Sequence, residues 1–291
     1  MEGRIYRNRY GSYRDLQTWF DSDPSFLYNY SYVLYQSDEL LKSAEVALKC
    51  SNFLASYDLC MLKGEIYFSL ADYENAIEVA QKISGQVITI NPEMMSNPEM
   101  IEIVNNAELV IPDGIGVQIG LKIAGYDVKR IPGIQFAHKM IELCALNGQT
   151  IALVGAKPEI IQLACENLKK EFENLNIIYV QDGYFKDDER VMNELKAIQP
   201  RLVLCALGSP KQEIFIKNLK KDMPNSLFIG VGGSFDVWSG CVQRAPEIWQ
   251  KLGLEWLYRT IKEPQRFKRI FPTLPLFVLR VLKEKFIPKG V

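Results

Sequence analysis

Asp113 stands where chemistry is easiest to build. The apolar, strand-type run Leu109-Val110-Ile111 meets a Pro112-Asp113-Gly114 turn, Gly116 follows, and a helical pattern then runs through Gln118, Leu121 and Ile123. Open α/β sheets carry their active groups where strands end, and glycines there let a ligand approach the backbone. Asp113 is therefore the first candidate for a general base. The competing reading is an Asp-Gly turn residue selected for backbone geometry alone. Three more strand-end loops carry polar groups. Thr89 and Asn91 close one, Gly208-Ser209-Pro210-Lys211-Gln212-Glu213 a second, and Gly230-Val231-Gly232-Gly233-Ser234-Phe235-Asp236 a third. The spacing from Ser209 to Gln212 also matches a capping box, with proline in the first helical turn. A helix start at a strand end offers N–H groups to a phosphate. Glycines at 230, 232 and 233 predict a backbone that something approaches closely, with a tight turn as the plainer alternative.

Several common chemistries lack their residues. Gly114, Gly116 and Gly120 do not have the Gly-x-Gly-x-x-Gly interval of a dinucleotide site, which disfavours a nicotinamide dehydrogenase, and no Walker loop occurs. His138 is the only histidine, so a Ser-His-Asp triad or a multi-histidine metal site is disfavoured, and His138 reads as structural. The one Asp-x-Asp, Asp21-Ser22-Asp23, lies in an aromatic-rich N-terminal stretch and not at a strand end. No metal site and no cofactor are expected.

These loops need a scaffold. The 291 residues are 48% hydrophobic, with a formal net charge of −1, enough apolar material for one large core or two modest ones. Strands are expected at Gln86–Ile90, Leu109–Ile111, Thr150–Val154, Asn176–Val180, Leu202–Leu207 and Leu227–Val231. Helices are expected at Ala71–Lys82, from Pro158, near Asp188–Ile198 and at Pro210–Leu219. This alternation predicts an α/β, Rossmann-like, mostly parallel sheet with helices on both faces. Asn91-Pro92-Glu93-Met94 recurs as Asn97-Pro98-Glu99-Met100, and Asn followed by Pro is a helix-start signal. Residues 1–60, crowded with aromatics and containing a helix from about Asp38 to Ala55, read as an N-terminal extension that packs on the main domain or on another subunit. Residues 61–248 read as the catalytic domain and 249–291 as a C-terminal appendage.

Near-neutral charge gives no global pull toward nucleic acid. The six cysteines never take metal-ligand spacing and point to a reducing cytosol. Cys205 lies inside an apolar strand, as buried thiols do. No signal peptide is expected at the N-terminus and no bilayer-spanning run occurs. From Glu255 to Val291, however, nine Lys or Arg face three Glu. Trp249, Leu252, Trp256, Leu257 and Ile261 recur there at helical spacing. Arg259, Lys262, Arg266 and Arg269 would share roughly an 80° arc of one helix, unless Pro264 breaks it. Such a tail suits the surface of a membrane.

Taken together, the chain resembles the WecG/TagA/CpsF family of bacterial glycosyltransferases across roughly residues 60–270. The match runs through Thr89-Ile-Asn-Pro-Glu93, Pro112-Asp-Gly-Ile-Gly116, Asp182-Gly-Tyr-Phe185, Gly208-Ser-Pro-Lys-Gln-Glu213 and Gly230-Val-Gly-Gly-Ser-Phe-Asp236. It continues in Arg244-Ala-Pro246, Leu254-Glu-Trp-Leu-Tyr-Arg259, Glu263-Pro264 and Arg266. The resemblance implies an inverting, metal-independent transfer of a sugar from a UDP donor to a polyprenyl-diphosphate-linked sugar. Its best-known members add N-acetylmannosamine or its uronic acid to lipid-linked N-acetylglucosamine, for cell-surface polysaccharides. It implies Asp113 as catalytic residue and Thr89, Asn91, Arg130 and Gln212 as substrate-binding residues, to which the loop glycines Gly232 and Gly233 are added. Arg259, Arg266 and Arg269 are then expected on the diphosphate or lipid acceptor. One departure stands out. The family's Gly-x-Asp after the first arginine is here Gly133-Ile134-Gln135, which opens the identity of the donor sugar. The expected location is the inner face of the bacterial membrane, cytoplasmic and peripheral, with self-association through the extension compatible. The alternative is a non-catalytic sugar-nucleotide-binding subunit that partners another glycosyltransferase.

Overall fold

The computed structural model describes residues 73–94, 97–124 and 130–262, with single positions at 34, 277, 279 and 281. The chain divides into two compact units, Met1–Leu70 and Ala71–Val291. The aromatic extension and its expected helix lie outside the described residues.

The second unit alternates strand and helix. In order it runs α1 (Tyr73–Lys82), β1 (Gly85–Ile90), α2 (Pro98–Asn105), β2 (Leu109–Pro112), α3 (Ile115–Ala124), α4 (Gly133–Leu146), β3 (Thr150–Gly155) and α5 (Pro158–Glu171). It continues through β4 (Asn176–Gln181), α6 (Asp188–Ile198), β5 (Leu202–Ala206), α7 (Lys211–Leu219), β6 (Leu227–Gly230), α8 (Ser234–Trp238), α9 (Glu247–Lys251) and α10 (Glu255–Lys262). The six strands form one sheet in the order β2-β1-β6-β5-β3-β4, and every pairing is parallel. The sheet is thus wholly, not mostly, parallel.

Burial on both faces explains the strand compositions, because parallel strands covered on each side read as continuous apolar runs. Ala152, Val154, Val203, Cys205 and Phe228 pack with Val191 and Leu195 of α6 and Phe215, Ile216 and Leu219 of α7. Ile151, Leu153, Leu204 and Ile229, which alternate with them, are also fully buried. Alternate side chains point to opposite faces, and α4 and α5 contact β3. At the β1 side, Ile88 and Ile90 pack with Met100 and Ile103 of α2 and Val117 of α3.

Helix starts follow local chemistry in part. Asn97 caps α2, its side chain accepting from the N–H of Glu99, with Pro98 in the first turn. In the first copy Pro92 and Glu93 form a turn that leads into 3-10 geometry at Met94. Asn91 Oδ1 accepts from the N–H of Met94 at 3.0 Å, and the segment closes as a turn. At α7 the expected capping box is absent as well. Pro210 occupies the cap without a side-chain bond, and the Gln212 side chain is engaged elsewhere. His138 is indeed structural: it sits between the rings of Phe172 and Trp238, with Nε2 3.1 Å from Glu171.

The apolar pattern from Trp249 onward makes two helices instead of one. Gly253, at φ +70°, breaks it between α9 and α10, and a Cβ there would meet Ile115 of α3 at 2.8 Å. Among the described residues no helix is long and apolar enough to cross a membrane.

Candidate active site

Four neighbouring strands, β2, β1, β6 and β5, end at one cavity of about 480 Å³. That size is within the range of small-ligand sites. Ile90 of β1 is level with Pro112 of β2, so the next residues, Asn91 and Asp113, leave adjacent strands side by side. The N–H groups of Asp113 and Gly114 both donate to the Ile90 carbonyl, at 3.2 and 3.4 Å. Gly114 is needed for this closeness, since a Cβ would stand 3.0 Å from Pro92. Asp113 is half-buried and lines the cavity.

The other sequence-derived candidates meet it there. Thr89, Asn91, Arg130, Gln212, Gly232 and Gly233 all line the same cavity. Gly133, at the start of α4, permits the approach of Thr89: a Cβ would lie 2.9 Å from its Cγ2. Arg130 donates to the Gln250 carbonyl at 3.3 Å, which ties it to the end of α9. Gln212 is 5% exposed. Its Nε2 donates to Glu213 Oε1 at 2.7 Å, and its Oε1 accepts from the N–H of Gly232 at 3.3 Å. The amide therefore bridges α7 to the β6 turn. Glu213 itself is 2% exposed, and burial holds its carboxyl above the usual range, against the opposing pull of Gln212 and Ser209.

The C-terminal appendage completes the wall. Gly253, Glu255 and Trp256 line the cavity, and Glu255 pairs with Arg244 at 3.4 Å. Sequence reasoning did not single out Glu255 or Trp256. The only available signal was their place inside the motif Leu254–Arg259, because their spacing is that of any amphipathic helix. Arg259 belongs to α10; Arg266 and Arg269 lie outside the described residues. Gln135, where the resemblance leads to the expectation of a carboxylate, is exposed and does not line the cavity, whereas Gly133 and Ile134 beside it do.

The charges on this wall are uneven. Among the described lining residues, Glu93, Asp113 and Glu255 are acidic and Arg130 is the cation. Among the described residues no group of three or more His, Cys, Asp or Glu could hold a metal ion. Comparison with protein families adds one finding: the model of the glycosyl transferase WecG/TagA/CpsF family matches residues 65–290, most of the chain and all of this cavity.

Proposed function

This chain belongs to the WecG/TagA/CpsF family of glycosyl transferases, and from that premise we propose that it inverts an anomeric centre without a metal. The donor is a UDP-sugar of N-acetylmannosamine type or a relative, and the acceptor is a sugar on polyprenyl diphosphate. The family already implies a sugar-nucleotide donor and a lipid-linked acceptor for cell-wall polysaccharide synthesis; the particular sugars and the mechanism are the proposal.

One observation carries the reading: the carboxylate Asp113, the polar Thr89, Asn91 and Gln212, the cation Arg130 and the glycine turn at 232–233 share one cavity wall. In the reaction, Asp113 takes the proton of the acceptor hydroxyl as its oxygen bonds to the anomeric carbon. The bond from that carbon to the UDP oxygen breaks on the opposite face, and UDP leaves with the electron pair. Charge building on the diphosphate is met by Arg130 and by Arg259, Arg266 and Arg269 of the appendage. Thr89, Asn91 and Gln212 hold the substrates in place.

The enzyme reaches its lipid-borne acceptor from the inner face of the membrane, as a peripheral protein. Exposed Leu252, Ile261 and Leu279 of the appendage support this, since apolar side chains beside basic ones are what an interfacial segment requires. The test is release of UDP from UDP-N-acetylmannosamine and related donors, with and without polyprenyl-diphosphate N-acetylglucosamine. Acceptor-dependent release supports transfer. Tight UDP binding with no acceptor-dependent release of any donor would instead make the chain a binding subunit.

A further inference from the structure

Among the described residues the core holds one buried carboxyl, and the reaction above leaves it unused. Glu213 lies on the buried side of α7, 2% exposed, and its Oε2 has no hydrogen-bond partner. A carboxyl in such a place is expensive even when neutral, and an aliphatic side chain would occupy the position at lower cost. Its presence calls for a contact that an aliphatic group cannot make.

That contact is the 2.7 Å bond from Gln212 Nε2 to Glu213 Oε1. A glutamine amide has one donor end and one acceptor end. With Nε2 engaged by Glu213, Oε1 faces the other way, where it accepts the N–H of Gly232 at 3.3 Å. The flipped amide would set donor against donor at Gly232 and would keep a bond to Glu213 only if that carboxyl turned its proton toward Gln212. The space is also restricted, because a Cβ on Gly230 would stand 2.5 Å from Gln212 Nε2. On the far side, the Glu213 carbonyl accepts from Gln86 Nε2 of β1 at 3.4 Å, so the backbone carrying the carboxyl is held to the sheet.

We propose that Glu213 is a positioning residue: its carboxyl sets the sense of the Gln212 amide and, through it, the Gly230–Gly233 turn that meets the donor diphosphate. The last clause rests on the proposed donor; the orientation of the amide does not. Burial favours the proton on this carboxyl, which agrees with an acceptor used as a neutral group.

The experiment separates the two parts. Side-chain amide exchange at Gln212 is followed by NMR in wild type, Glu213→Gln, Glu213→Leu and Glu213→Met, and UDP affinity is measured by calorimetry on the same proteins. Glu213→Gln keeps an accepting oxygen and should retain both slow amide exchange and affinity. In Glu213→Leu and Glu213→Met, exchange should rise and UDP affinity fall by about tenfold, the worth of one well-placed hydrogen bond. Adding Glu213→Leu to Gln212→Ala should cost nothing beyond Gln212→Ala alone. Unchanged exchange in either folded apolar variant, or additive losses in the double variant, would overturn the proposal. Altered exchange in a protein whose wild type does not bind UDP would sustain the positioning role and refute the donor.

Discussion

Asp113→Asn tests the reaction most directly, because it keeps the volume of the side chain and removes its capacity to take a proton. Two main-chain contacts of the turn survive the change: Asp113 and Gly114 donate their N–H groups to the Ile90 carbonyl. The position is half-buried at a cavity rim, so the stability change should stay within about 1 kcal/mol, a few degrees in melting temperature. The rate responds on another scale. A positioned general base contributes ~10²–10⁴-fold, equivalent to about 3–5 kcal/mol of barrier. Acceptor-dependent UDP release, thermal melting and UDP calorimetry on the same preparation separate these effects. The expected pattern is an unchanged melt, UDP affinity within about threefold, and turnover reduced at least 100-fold. A folded Asn variant turning over within about tenfold of wild type, less than any positioned base supplies, would remove Asp113 from the mechanism.

Further outcomes follow from neighbouring contacts. Gly230→Ala places a Cβ 2.5 Å from Gln212 Nε2 and should break both amide bonds, at about 1 kcal/mol each. The melting temperature should then fall by roughly 4–8 °C with weakened UDP binding, and an unaltered melt would show that Gln212 yields without loss. Glu213 gives a pH signature. Its folded pKa is raised from 4.5, chiefly by burial, so the folded chain binds the proton more tightly than the unfolded one. Stability from this group therefore grows as pH falls through the folded pKa and is lost as pH rises through it. The titratable Cys205 beside it is pushed upward by burial and stays neutral. Glu213→Gln, uncharged throughout, should melt above wild type at high pH and converge with it near pH 4.5; a pH-independent difference would contradict the buried-acid account. Truncation after Leu254 removes Glu255 and Trp256 from the cavity wall together with the tail arginines, and should abolish transfer to acceptor in vesicles, an expectation that full activity would refute.

Much of this was legible because each strand announced itself. Six apolar runs bounded by turn residues gave all six strands to within a residue or two, and α6 matches its expected span, Asp188–Ile198. Once strands are known, their ends are known, and with them Thr89, Asn91, Asp113, Gln212 and the glycines at 232–233. Pairing order was not legible. β1 and β6 are farthest apart in the chain, and no local periodicity encodes that they lie side by side. The capping box at Ser209–Gln212 misled for a related reason: a short polar pattern describes what a side chain can do locally. Gln212 instead finds its neighbour Glu213 and the N–H of Gly232, and the second contact exists only after β6 has paired beside β5. Asn91 illustrates the converse, since the same Asn-Pro-Glu-Met sequence makes a turn with 3-10 geometry at Met94 in one place and a capped α-helix six residues later.

The order of the sheet also explains why a distant appendage belongs to the site. The described charges of the cavity wall are three carboxylates, one of them Glu255 of the appendage, and Arg130, a poor receptor for a diphosphate by Coulomb's law alone. In the proposed mechanism the strand-end loops supply the base and hydrogen-bonding groups but leave most of the leaving-group charge unmet. The C-terminal segment carries nine Lys or Arg against three Glu in a chain of net charge −1, and it reaches this wall in two ways. Gly253 lies against Ile115 of α3, close enough that only a glycine fits, and Glu255 is bound to Arg244. Gly253 against Ile115 brings the start of α10 beside the helix that follows Asp113. In the proposed mechanism, bond-breaking at the diphosphate and proton removal at the acceptor must coincide. A fold that couples the appendage to the Asp113 turn meets that demand, whereas cations on a free tail would have to be ordered anew at every turnover.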